Sequence, residues 1–238
     1  MPPQILKIAE WGWRKLYMPP EVAEKRNNII TVLGLVLVNK GLDPTSLKNN
    51  PIVFITGDGN TLQKEAKEFE SWGIPHDLYA VNRSLLYHQR QVDHWAAIDI
   101  EESCWFAQNV TWAQQQGKAI KRHTIGECSI AYDVYWQMDY PWENDFQRRV
   151  FVGNSGYFAV LTAIHMGYEK IVLAGMPLNM EPHWYEQDTE PGPHWRGLTY
   201  TQWMDFKMKS PHADKVRSLG GYTAFILGTA TKEWLNGS

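Results

Sequence analysis

Cysteine is nearly missing from this chain: Cys104 and Cys128 are its only two in 238 residues. They form no CxxC pair and have no partners at metal-ligand spacing, which excludes a disulfide framework and a thiolate zinc site. Each reads as a small buried hydrophobe. An excess of one charge is lacking too. With 23 Lys and Arg against 26 Asp and Glu, and a net charge of −3, no global basic field draws the protein to nucleic acid. Long apolar runs are also scarce. The longest, 29–38, is interrupted by Thr31 and Gly34 and falls short of the ~20 residues a bilayer requires. The N-terminus shows no charged stretch followed by an apolar core, so a cytoplasmic protein is the expectation. Neither an internal repeat nor a low-complexity segment is visible.

Aromatic residues are plentiful, with 12 Trp and 11 Tyr. Many stand in polar surroundings, as in "EWGWRKLY", "DVYWQMDYPWEN" and "EPHWYEQDTEPGPHW". Rings rimmed by Asn, Asp, His and Gln suit stacking on a sugar or base, or an interface between copies of the chain.

Residues 4–17 have the pattern of an amphipathic helix stopped by Pro19 and Pro20. Residues 21–40 read as a second helix, with a β-branched strand over 29–38 as the rival. Beyond this 1–48 segment the rhythm changes. Strands are expected at 52–56, 77–81, 95–100, 123–125, 150–152 and 169–175, with a last short strand or turn within 214–221. Helices are expected over 61–72, 103–116, 157–166 and 222–227. Alternation of this kind indicates βαβ units: an α/β domain over 49–238 with a mostly parallel sheet and helices on both faces. A loop at about 179–200 interrupts it.

In such sheets ligands gather at the carboxyl ends of the strands. Those ends carry Gly57-Asp58-Gly59-Asn60-Thr61, Asn82-Arg83-Ser84, Asp99, Gly153-Asn154-Ser155-Gly156, Pro177-Leu178-Asn179 and Arg217-Ser218, all expected on one edge. "GDGNTL" is neither GxGxxG nor a Walker A loop. It reads either as a tight turn with Thr61 as helix N-cap or as a phosphate cradle. "GNSG" repeats the strand-glycine-helix layout, and two such turns in one sheet point to a nucleotide site. Arg217, before a Gly220-Gly221 turn, suits a phosphate or carboxylate, with a structural salt bridge as the other reading. Arg83 and Arg26 rank below it. His165 reads as structural, and His88, His94 and His123 have no recognisable ligand spacing. Glu186, Asp188 and Glu190 read as a solvated acidic loop.

"VFITGDGNTL", "AVNRS" and "GNSGYFAVLTAIHMGYEKIVLAGMPLN" together resemble the signature blocks of a Rossmann-like superfamily. It joins bacterial CMP-sialic-acid-dependent sialyltransferases to 6-hydroxymethylpterin pyrophosphokinase-like proteins. The resemblance spans roughly residues 52–179, and the third block matches best. The region after Asn179 resembles small proteins of phage and prophage genomes, from which no chemistry follows. The resemblance implies that Gly57 and Gly59 form the first nucleotide-contacting turn. It implies that Asn82 contacts the nucleotide, and that Ser155 and Gly156 hold base, ribose or phosphate. It also implies a histidine after the strong strand acting as general base on an acceptor hydroxyl, a role for which His183 and His194 qualify. Trp184, Trp195 and Asn179 are the expected substrate contacts. Asp58 stands where the family has Asn, Asn60-Thr61 where it has Pro-Ser, and Met176-Pro177 where its acid follows the strand. These departures argue against CMP-sialic acid itself.

The expected ligand is therefore a nucleotide or nucleotide-sugar donor, and the expected reaction glycosyl transfer by direct displacement, with Arg217 neutralising the leaving phosphate. In the donor site Asp58 is expected to accept from ribose or base hydroxyl and amino groups. One alternative is pyrophosphoryl transfer with ATP and Mg²⁺, in which Asp58 becomes a metal-ligand candidate. Another is a nucleotide-binding phage module without turnover. A homo-oligomer is compatible with all three.

Overall fold

The computed structural model describes residues 35–37, 42–98, 121–125, 134–138, 154–179, 181, 183–184 and 196–237. Within them, β1 (Leu35–Leu37), β2 (Ile52–Thr56), β3 (Asp77–Val81), β4 (His94–Ala96), β5 (Lys121–Ile125), β6 (Val134–Met138), β7 (Lys170–Ala174) and β8 (Val216–Ser218) form one sheet. Its order is β1-β6-β5-β4-β3-β2-β7-β8. Every adjacent pair is parallel except β1 with β6. The helices are α1 (Leu62–Ser71), α2 (Ser155–His165), α3 (Arg196–Lys209), α4 (Gly221–Leu227) and α5 (Lys232–Asn236). The protein is a Rossmann-like α/β fold.

The central strands are apolar on both faces, as a parallel sheet covered on both sides requires. Val53, Ile55, Tyr79, Val81, Ile171 and Leu173 join one core with α2 and α3. Their neighbours Phe54, Leu78, Ala80, Val172 and Ala174 join the other, with α1 and α5. In α1 the core face is Leu62, Ala66 and Phe69, and Phe69 stacks on Phe54 at 4.3 Å. Helix α2 is different, since Ser155 through Ile164 are all buried. A helix apolar all round must be covered on two sides. The sheet covers one, where Tyr79 and Thr162 share a hydroxyl hydrogen bond of 2.9 Å. Helix α3 covers the other, with Trp203 and Phe206 edge-on to Tyr157.

Several expectations need correction. Of the segment expected as a helix over 21–40, residues 35–37 form strand β1, in line with the rival strand reading, and the rest lies outside the described residues. β6 lies in the aromatic "DVYWQMDY" stretch, where no strand is expected from the sequence. The third strand is shorter than 95–100 and begins at His94. Helix α3 starts inside the expected loop, at Arg196. Thr61 is the N-cap of α1 in position but makes no side-chain cap bond. The helices expected at 4–17 and 103–116, the strand at 150–152 and both cysteines lie outside the described residues. Among the described residues no helix is long and apolar enough to cross a membrane.

Candidate functional site

The chain runs outward from β2 through β3, β4 and β5 to β6, then returns to β7 on the other flank of β2. The β2–β7 crevice is therefore the point where the winding reverses, the usual ligand position in an open α/β sheet. A cleft opens there. Its lining includes Gly57, Asp58 and Gly59 after β2, Asn82 after β3, Asn154 to Gly156 at the start of α2, Met176 to Asn179 after β7, and Glu181 and His183. Thr199 and Trp203 of α3 complete it. Eight residues expected at the site thus share one cleft: Gly57, Asp58, Gly59, Asn82, Ser155, Gly156, Asn179 and His183. His194, Trp195 and Asp99 lie outside the described residues.

The local geometry changes what several of these residues do. Gly57 N–H donates to the Ala174 carbonyl at 2.8 Å, and Gly59 N–H to the Gly175 carbonyl at 2.7 Å. A Cβ on Gly59 would stand 2.3 Å from Pro177 Cδ, and one on Gly57 would stand 2.8 Å from Met176 Cγ. Both glycines are required because the loops after β2 and β7 pack backbone against backbone. The N–H groups of both glycines are spent on that packing.

Asp58 clamps the next strand end. Its Oδ2 accepts from Arg83 N–H at 3.3 Å, and its carbonyl accepts from Trp184 N–H at 3.0 Å. Asn82 sits at φ 51°, a left-handed position that Asn tolerates. Its carbonyl is held by Trp95 Nε1–H at 3.0 Å. Asn154 caps α2, accepting from Tyr157 N–H at 2.9 Å, and donates from Nδ2 to Thr199 at 3.2 Å. Ser155 Oγ is buried and accepts from Ile98 N–H at 3.2 Å. Asn179 donates to the Asn60 side chain at 3.1 Å. His183 pairs backbone to backbone with Gly59 and is among the residues lining the cleft.

Beneath the cleft, Glu65 is buried and accepts from Gly175 N–H at 2.8 Å. Burial pushes its carboxyl above the usual range.

Two expected residues face elsewhere. Arg217 points away from the cleft: its guanidinium lies over the Trp234 ring at 4.8 Å and its Nη1 faces the Thr229 carbonyl at 3.4 Å. On edge strand β8, the side chain between buried Val216 and Ser218 takes the opposite face. Arg217 is not among the residues lining the cleft, where a phosphate neutraliser would have to stand. Trp184 packs against Tyr87 on the far core and is not among the lining residues.

Sequence reasoning gave no role to Met176, Glu181, Thr199 or Trp203. Thr199 and Trp203 are four apart on α3, so missing that helix meant missing both. Asn154, Pro177 and Leu178 stand at the expected strand ends, and the N-cap signal at Asn154 was present in "GNSG".

No family model matches the chain. No curated protein matches it at a significant level. Among solved structures it is similar to the MAf glycosyltransferase from Magnetospirillum magneticum AMB-1, with 10% sequence identity and a TM-score of 0.45. That likeness covers 84% of this chain and 36% of the other. The sialyltransferase-like resemblance of the sequence blocks has no counterpart in these comparisons.

Proposed function

We propose that the cleft binds a nucleotide-type ligand and that the protein transfers a glycosyl group from a nucleotide-sugar donor. The observation that carries this reading is convergence: four separate segments bring Asn82, Asn154, Asn179, Thr199 and His183 to one cleft at the β2–β7 crevice. Amides and hydroxyls that donate and accept at close range suit a ligand rich in hydroxyls and ring nitrogens. His183 is the general base. It takes the proton of the acceptor hydroxyl as that oxygen bonds to the anomeric carbon and the bond to the donor phosphate breaks. His194 is the second candidate for this step.

Pyrophosphoryl transfer is less well supported. It would use Asp58 to hold Mg²⁺, yet one Asp58 oxygen already receives Arg83 N–H.

The test is a thermal-shift screen with CMP, UDP-sugars, ATP and GTP, each with and without Mg²⁺. Stabilisation by a sugar nucleotide is expected. No shift with any nucleotide would overturn the reading, and Mg²⁺-dependent stabilisation by ATP alone would favour the kinase. With the responding donor, His183→Ala is expected to lower transfer by about 100-fold while leaving the melting temperature in place. Full activity in that variant and loss in His194→Ala would move the base to His194.

A further inference from the structure

Met176 stands where the sequence blocks lead one to expect an anion. A Cβ on Gly156 would lie 2.9 Å from its Sδ and 3.0 Å from its Cε, and a Cβ on Gly57 would lie 2.8 Å from its Cγ. Its thioether therefore touches the backbone of both glycine turns, filling the space between the end of β2 and the first turn of α2. Two further observations bear on the same spot. Asn154 already caps α2, so Tyr157 N–H is not available to a ligand. The described lining carries Asp58, Glu181 and His183 as its titratable side chains and includes no Lys or Arg. An apolar plug, a satisfied cap and two carboxylates are the reverse of what a bare phosphate needs.

We infer that Met176 is the specificity-determining residue of the cleft. It keeps phosphate off the N-terminus of α2, so that the neutral nucleoside part of the ligand, base or ribose, packs against Met176 and meets Asn82 and Asn154. Any phosphate lies elsewhere in the cleft. The flexible thioether suits this role because it makes a polarizable apolar contact with a ring or a sugar face. This assignment rests on the nucleotide reading above, and the test separates the two.

The experiment titrates the wild-type protein and Met176→Ala with adenosine, guanosine, cytidine and uridine, with their 5′-monophosphates, and with inorganic pyrophosphate. Calorimetry reads affinity and circular dichroism checks the fold. Wild type is expected to bind its best nucleoside and the corresponding monophosphate within about threefold of each other, and to ignore pyrophosphate. Met176→Ala is expected to favour the monophosphate over the nucleoside by about tenfold more than wild type, because a helix N-terminus is uncovered. Wild-type preference for the monophosphate of about tenfold or more, or wild-type binding of pyrophosphate, would overturn the assignment without the variant being needed. So would an unchanged ratio in Met176→Ala, or in Met176→Ser should the alanine variant not fold. If wild type binds no nucleoside or nucleotide but the variant gains pyrophosphate, the nucleotide reading fails and only the exclusion of phosphate by Met176 stands. If neither protein binds any probe, both fall.

Discussion

Gly175 adopts φ 64°, and a Cβ there would stand 2.4 Å from the Gly57 carbonyl oxygen. Two costs coincide at this residue: a left-handed backbone and a collision with another backbone that cannot swing aside. Gly175→Ala is expected to destabilise by about 3 kcal/mol in urea unfolding. Gly73, at φ 66° with nothing within 4 Å of its Cβ position, provides the control, since Gly73→Ala carries only the backbone cost of about 1 kcal/mol. Equal losses at the two sites would show that the packing of the β2 and β7 loops is not tight. Asp58 makes the same point about reading residues singly. In the sequence its charge looks misplaced in a phosphate turn, whereas in the fold it ties that turn to Arg83.

Among the elements, α5 shows how a segment without a marked sequence signal is held. Trp234 receives Lys170 Nζ at 4.5 Å and the Arg217 guanidinium at 4.8 Å, and its ring packs into the core beside α1. Trp234→Ala is expected to cost about 3 kcal/mol through lost burial. Arg217→Ala is expected to cost about 1 kcal/mol or less and to leave ligand affinity unchanged. A clear drop in nucleotide affinity in Arg217→Ala, measured by calorimetry, would return this residue to the site. Legibility followed the local signal. β2, β3, β7, α1 and α2 were readable because runs such as "IVFIT" and "KIVLA" are continuous and end in glycine or polar turns. α3 sets Tyr200, Trp203 and Phe206 three apart on one buried face, a helical spacing that begins at the edge of the expected loop at 179–200, and there Trp203 and Phe206 cover Tyr157 of α2. β1 and β6 pair antiparallel, Leu35 with Met138 through Leu37 with Trp136, a partnership with about a hundred residues between them that no window of sequence shows.

For the molecule as a whole, a buried chain of hydrogen bonds ties the sheet together at the ends of β3 and β4 opposite the cleft. Tyr168 O–H donates to Asp77 Oδ2 at 2.6 Å. Its oxygen then accepts from His94 Nε2–H at 3.0 Å, which leaves His94 Nδ1 to accept from His123 Nε2–H at 3.0 Å. Asp77 also receives Asn49 and Asn50. This direction requires His94 to be neutral, since its Nδ1 must accept from His123. Burial lowers His94 from the usual 6.5 to about 3 and holds His123 well below its usual value. The unfolded chain therefore binds more protons than the folded one in this range, so stability is full above pH 6.5 and falls as the pH drops. His76 and His212, lowered chiefly by burial, add to the slope. At Asp77 burial acts upward but is outweighed by its hydrogen bonds, and the depressed carboxyl extends the loss into more acid solution. Glu65 and Asp93, raised by burial, act in the opposite sense near the carboxylate range. Denaturant unfolding between pH 7 and about 5 is expected to show a marked decline that His94→Gln makes shallower. A slope unchanged in that variant would mean that His94 is not the group being charged.

The sequence by itself determined the α/β class, the central strands and the polar strand ends that line the cleft, because hydrophobic runs and glycine turns are local properties of the chain. Only the tertiary structure decided the rest. It turned Arg217 to the opposite face of an edge strand, brought Thr199 and Trp203 to the cleft, and laid Met176 across two glycines. Each of these depends on which distant backbone lies opposite a side chain, and that is set by the winding of the sheet.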